Sequence, residues 1–184
     1  MNVRPLLLID VDGPLNPWAA PPHRRPEGYQ THRMRPTGWE QPWQKPLRVW
    51  LNPTHGTALQ ALPFELVWCT TWAHEANEWI SPHIGLPELP VITWPEGVKT
   101  PTSPYRKSEP AVFWKTTTVV EYAAGRPFAW IDDDLTDLDR EYVGAHHDGP
   151  ALLHWVSPRT GLLQPDYDAL TAWAKSLTAE ETNA

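Results

Sequence analysis

The chain carries a single cysteine, Cys69, so no disulfide can form within it, and a reducing compartment is expected. Long apolar runs are missing as well. No stretch approaches the ~18 consecutive apolar residues of a membrane-spanning helix, so no membrane partner is expected. The run Leu6–Ile9 is short and leads straight into Asp10, unlike a secretory signal, which makes a cytoplasmic location the expectation. A basic surplus is also absent: the net charge is −7, which disfavours a protein that coats nucleic acid generally. There is no internal repeat. Three familiar motifs fail on inspection. Gly97-Val-Lys-Thr lacks the spacing of a phosphate-binding loop, His74-Glu75 has no second histidine three residues on, and His146-His147 reads as part of a surface loop.

What the chain has in excess is proline (22) and tryptophan (12). The prolines predict long irregular connections and short helices. The tryptophans can serve as core or as stacking surface. At 184 residues there is room for one domain with a real core. The charge is unevenly spread. Between His23 and Arg48, six basic residues stand against Glu27 and Glu40, a surplus of four in an otherwise acidic chain.

Apolar runs at Val3–Val11, Glu65–Cys69, Pro90–Trp94, Pro127–Ile131 and Ala151–Val156 read as five buried strands. Helical patterns fall between them, at Thr54–Leu62, Thr71–Ile84, Ala111–Ala124 and Leu135–Val143, and a last one covers Asp166–Leu177. Gly125 reads as a left-handed cap, Asp134 as the N-cap of the Leu135 helix, and Asp137 and Asp139 as first-turn or solvent-facing acids. The Pro/Arg/Trp-rich stretch 14–48 has no helical period, and Gly28–Arg35 can pair with Leu47–Leu51 as a small β-flap. This alternation predicts an α/β fold with a mainly parallel five-stranded sheet covered on both faces. Ligands in such sheets bind at the carboxyl ends of the strands, where both acidic clusters of this chain fall.

Asp10 and Asp12 lie two apart at a strand end, so their carboxylates can face one volume. One carboxylate can attack phosphorus while a second moves the leaving-group proton. Gly13 allows a sharp turn and close approach to a phosphate. Alone, this is also what an ordinary Asp-Gly turn looks like. Asp132, Asp133 and Asp134 form a second cluster, which repels itself unless a cation joins it, and Mg²⁺ prefers such oxygen ligands. Lys115, on the helix before Asp132, is the leading candidate for the cation facing a phosphate, with Lys99 and Lys107 as fallbacks. Thr70, at the end of the Leu66–Cys69 run, can donate to a phosphate oxygen, and Thr71 could do so instead. In the insert, Arg24, Arg25, Arg33 and Arg35 lie among Trp18, Tyr29, Trp39 and Trp43. Arginine forks and aromatic faces together suit a nucleotide or a nucleic-acid end, although solvated arginines on a Pro/Trp loop have the same pattern.

These elements resemble the haloacid dehalogenase-like superfamily. Asp10-Val-Asp-Gly-Pro-Leu-Asn matches its first motif, Leu66-Val-Trp-Cys-Thr70 its second, Lys115 its third, and Ala129-Trp-Ile-Asp132-Asp133 its fourth, in order over about residues 3–160. The resemblance implies a Rossmann-like three-layer α/β/α domain over the whole chain. It implies Asp10 as nucleophile, Asp12 as acid/base, and Mg²⁺ held by Asp10, Asp132 and the carbonyl of Asp12, while the acidic cluster itself puts Asp132 and Asp133 on the metal side of the site. The second Asp places the likeness in the phosphoryl-transfer branch, and Trp-Cys-Thr with Trp-Ile-Asp-Asp is similar to a branch found in RNA-repair proteins. The chain departs from the family in having no large cap domain, which predicts an open site. The expected function is Mg²⁺-dependent phosphomonoesterase or phosphotransferase activity on a small phosphorylated molecule or a nucleic-acid end. The competing expectations are a catalytically silent module that binds phosphorylated ligands or nucleic acid, and a Ca²⁺-binding structural protein.

Overall fold

A computed structural model of the protein describes residues 4–95 and 111–182. Its strands are β1 (Leu6–Ile9), β2 (Gln30–Met34), β3 (Leu47–Leu51), β4 (Glu65–Trp68), β5 (Phe128–Asp132) and β6 (Ala151–Trp155). Its helices are α1 (His55–Gln60), α2 (Glu75–Trp79), α3 (Ser81–Ile84), α4 (Thr116–Ala123), α5 (Asp137–His146) and α6 (Gln164–Thr182). Four strands form one sheet in the order β4-β1-β5-β6, with every pairing parallel. Strands β2 and β3 form a separate antiparallel pair, with Gln30 opposite Leu51 and Met34 opposite Leu47.

The central place of β1 follows from its composition. Leu6, Leu7, Leu8 and Ile9 are all buried, and successive residues face opposite sides. Leu7 and Ile9 enter one apolar cluster with Leu59, Ala76, Ile84 and Leu170, contributed by α1, α2, α3 and α6. Leu6 and Leu8 enter the other with Val119, Ala123 and Val143, from α4 and α5. A strand with apolar residues at every position is thus matched by cover on both faces.

Several boundaries differ from expectation. Among the described residues the sheet has four strands rather than five, because Pro90–Trp94 contributes one parallel bridge, Trp68 with Val91. The prolines at 90 and 95 have no N–H to extend it. The helix expected over Thr71–Ile84 is two short ones. Ala73 is left-handed (φ 47°), which delays the start, and Pro82 at the head of α3 cannot continue the ladder from α2. Helix α4 begins at Thr116, so Lys115 stands at its N-cap rather than inside a helix, and Ala124 (φ 47°) shares the left-handed exit with Gly125. Helix α5 is capped by Thr136, not Asp134, in a reciprocal box with Asp139. Asp139 is fully buried, not solvent-facing. Lys99 and Lys107 lie outside the described residues.

Candidate active site

Ile9 and Ile131 are register partners, so the residues that follow them, Asp10 and Asp132, leave the sheet side by side. The place is also where the chain changes direction: β4 lies on one side of β1, and β5 and β6 lie on the other. Between the two acids lies Lys115, only 2% exposed. Its Nζ is 3.0 Å from Asp10 Oδ2 and 2.8 Å from Asp132 Oδ2, and it donates to the Cys69 carbonyl at 3.1 Å. All three donor directions of the ammonium are used.

Lys115 is held from behind. Asp139 Oδ1 accepts the Phe113 N–H at 2.7 Å and the Thr116 hydroxyl at 2.7 Å, on either side of the lysine. Its Oδ2 accepts the Thr136 N–H and hydroxyl at 2.8 and 2.7 Å. A single buried carboxylate therefore joins the start of α4 to the start of α5. No sequence periodicity marks Asp139 for this role; the Thr-x-x-Asp spacing from Thr136 was the available signal.

Asp12 sits where the chain turns away. Its Oδ1 accepts the Asn16 side-chain N–H at 2.7 Å and its Oδ2 accepts the Trp72 indole N–H at 2.9 Å. Asn16 also accepts the Trp50 backbone N–H at 3.0 Å, which ties this turn to β3. Gly13 has φ 96°, and a Cβ there would fall on the Asp133 carboxyl. Glycine is thus required twice over, by conformation and by space.

Tryptophan proves to be a structural donor here. Trp18 donates to Asp133 Oδ2 at 3.0 Å, Trp155 to the Asp133 carbonyl at 2.7 Å, and Trp94 to the Thr70 carbonyl at 3.0 Å. Together with Trp72, four indoles orient the acidic loops. An indole is a donor only, so it fixes a carboxylate without competing for the space in front of it.

One carboxylate oxygen each from Asp10, Asp132 and Asp133 falls within a 4.8 Å cluster. Burial, followed by the negative charge of Asp12, pushes Asp10 above the usual carboxylate range against the pull of Lys115. Burial raises Asp132 to about 6, with Lys115 opposing and Asp10 adding to the rise. Burial, with repulsion from Asp132, Asp10 and Asp134, raises Asp133 to about 8. For Lys115, burial favours the neutral amine, yet Asp10 and Asp132 hold it above the ordinary lysine value. One ammonium, paired with Asp10 and Asp132, thus serves a cluster of three crowded acids, an arrangement short of positive charge. The donors are all carboxylate oxygens, the set a hard divalent cation such as Mg²⁺ takes. The side chain of Asp12 is outside this cluster.

The remaining expected residues are divided by the fold. Thr70 is fully buried, and its hydroxyl lies against Asp10. Thr71 is exposed and lines the cavity of about 710 Å³ in front of the acids. Arg24, Arg25, Arg33 and Arg35 do not line it. Arg25 donates to the Thr31 hydroxyl at 3.2 Å, and Arg35 donates to the Trp39 and Gln41 carbonyls at 3.2 and 3.0 Å. The insert's arginine at the cavity is Arg48 instead. The flap brings Trp39, Leu47 and Arg48 to the cavity, and its loop is tied to α2 by the Thr37 N–H and hydroxyl, which donate to Glu75 Oε1 at 2.9 and 3.2 Å.

Comparison of the chain with models of known protein families, with curated proteins and with solved structures gives no match. The functional reading therefore rests on the residues and their geometry.

Proposed function

We propose that this chain is a Mg²⁺-dependent phosphomonoesterase or phosphotransferase of the haloacid dehalogenase-like type, on a Rossmann-like three-layer frame. The observation that carries this reading is the convergence of Asp10, Asp132 and Asp133 within 4.8 Å around the buried Lys115, with Asp12 beside them at the same cavity. Asp10, Asp132 and Asp133 are the side chains that would hold the ion, together with the carbonyl of Asp12. When bound, the ion offsets charge on the phosphoryl oxygens and completes the neutralisation that Lys115 begins.

The chain's own residues do the rest. An Asp10 carboxylate oxygen attacks the phosphorus of a monoester, and the ester P–O bond breaks as the new one forms. The Asp12 carboxyl gives its proton to the departing oxygen, so the alcohol leaves neutral. The Asp12 carboxylate then takes a proton from water. The resulting hydroxide attacks the aspartyl-phosphate, breaking its P–O bond and returning Asp10 and inorganic phosphate. An acceptor alcohol in place of water gives phosphoryl transfer. Trp72 and Asn16 hold Asp12 in line throughout, and Lys115 favours the ionised form of Asp10 against the burial that opposes it.

The test is phosphate release from a generic aryl phosphate. Activity is expected with Mg²⁺, none after chelation, and background rates in Asp10→Asn. Full activity in the Asp10→Asn protein would remove the nucleophile assignment. Tight binding of phosphorylated ligands with no turnover would favour a silent binding module.

A further inference from the structure

The cavity in front of the acids is not lined as a site for phosphate alone. Trp18 comes from the turn after β1, Trp39 from the flap loop, and Phe113 with Trp114 from the segment before α4. Trp18 and Trp39 are 40% and 39% exposed, although large aromatics are costly to leave in water. Trp18 spends its indole N–H on Asp133, which leaves its ring faces for contact. Trp114 is fixed edge-on by Trp94, with centroids 4.8 Å apart, and by Phe113 at 5.9 Å. Trp18 and Trp114 are therefore braced, and with Trp39 they line the open space next to Asp10.

Arg48 completes the lining. Its guanidinium lies 3.7 Å over the Trp50 ring, and Trp50 is itself anchored by its indole N–H to Thr31 at 2.9 Å. Among the described residues the guanidinium has no hydrogen-bond acceptor or carboxylate partner, and Nη1 is a buried donor left unsatisfied. A preorganised, unpaired fork beside aromatic faces is complementary to a flat ring with acceptors on its edge. A volume of about 710 Å³ falls in the range that holds a ligand of nucleotide size, about 300–1,000 Å³.

We propose that the Trp18, Trp39 and Trp114 rings with Arg48 form a nucleobase subsite, so that the phosphomonoester carried to Asp10 is that of a nucleoside. The base stacks on the rings and offers edge acceptors to Arg48, and its phosphate reaches the acids. This deepens the phosphatase reading and rests on it for turnover, although not for binding. The nucleoside phosphate can be a free mononucleotide or the end of a strand.

The experiment compares kcat/KM, with Mg²⁺, for nucleoside 5′- and 3′-monophosphates, short 5′- and 3′-phosphorylated oligonucleotides, and ribose 5-phosphate, which has the ester without the base. Base-bearing substrates are expected to be preferred over ribose 5-phosphate by about ten-fold or more. Trp39→Ala should lower that preference about ten-fold, and Trp39→Phe should restore most of it. Trp43→Ala, at a flap residue 80% exposed and outside the cavity, should leave it as it was. Turnover of mononucleotides identifies the free source, and turnover of oligonucleotides alone identifies the strand end. Equal kcat/KM with and without a base, unmoved by Trp39→Ala, would overturn the subsite. If no compound is hydrolysed, the phosphatase reading fails and calorimetric titration decides the subsite separately. Nucleoside monophosphate binding that exceeds ribose 5-phosphate binding and is lost in Trp39→Ala upholds it. Equal or undetectable binding rejects it.

Discussion

Lys115 shows how one residue changes meaning once its neighbours are known. In the sequence it is a lysine near a helix; in the fold it is a buried ammonium between Asp10 and Asp132, at 3.0 and 2.8 Å. Removing one partner of a buried ion pair leaves the other charges uncompensated, which is worse than never having built the pair. Lys115→Met should therefore cost about 3–5 kcal/mol of stability, measured by urea denaturation at neutral pH. A loss smaller than about 1 kcal/mol would mean that the acids do not depend on it. Gly13 is the opposite kind of residue. It contributes no group, yet any side chain there would occupy the place of the Asp133 carboxyl. The arginines illustrate a limit of composition. Arg24, Arg25, Arg33 and Arg35 were as basic as Arg48, but two of them are spent on the insert's own backbone and hydroxyl groups. Arg48 and Arg33 are opposite partners in the β2–β3 pair, yet only Arg48 lines the cavity, so composition and strand face together do not pick it out.

At the scale of elements, the acidic strand ends are useful only because α4 delivers its lysine to them. That delivery depends on Asp139, which accepts from Phe113 and Thr116 on one side and from Thr136 on the other. Asp139→Ala leaves the buried Thr116 hydroxyl and the partly buried Phe113 and Thr136 donors without their acceptor, and an unsatisfied buried donor costs about 1–3 kcal/mol. A stability loss of about 2–5 kcal/mol is expected by denaturant titration. The proposed phosphate release should fall as well, although Asp139 does not line the cavity. Unchanged activity in a folded Asp139→Ala protein would show that Lys115 positions itself. The flap is tied to the site in a similar way: the Asn16 amide joins Asp12 to the backbone of β3.

For the molecule as a whole, the insert, α1 and α6 meet at His55. Its ring nitrogens lie 3.0 Å from the Tyr29 hydroxyl and 2.7 Å from that of Tyr167. Burial lowers the His55 pKa from 6.5 to about 4. The unfolded chain thus takes up this proton first, so the stability held by neutral His55 is complete above pH 6.5 and is lost as pH falls through 4. Between pH 7 and 4.5 the loss from this residue should be about 2–3 kcal/mol. The stability difference between the wild type and His55→Gln, read from urea midpoints, should shrink by that amount as pH falls across the range. Asp132 and Asp133 run the other way within the same range, their raised pKa values penalising the fold as pH rises from about 4 through about 6 and about 8, so only the comparison with His55→Gln isolates the histidine. The sequence alone determined the α/β class, the parallel central strand and the two acidic strand ends, because apolar runs and Asp-Gly turns are local features that chain neighbours encode. The residues of the acidic cluster and Lys115 were legible on the same basis, at strand ends and by order along the chain. Tertiary structure alone decided the rest: the burial of Asp139, the indoles aimed at carboxylates, and Arg48 in place of its four neighbours. Each of these depends on contacts between residues up to 115 apart, such as Trp18 with Asp133, and no local pattern encodes a partner at that distance.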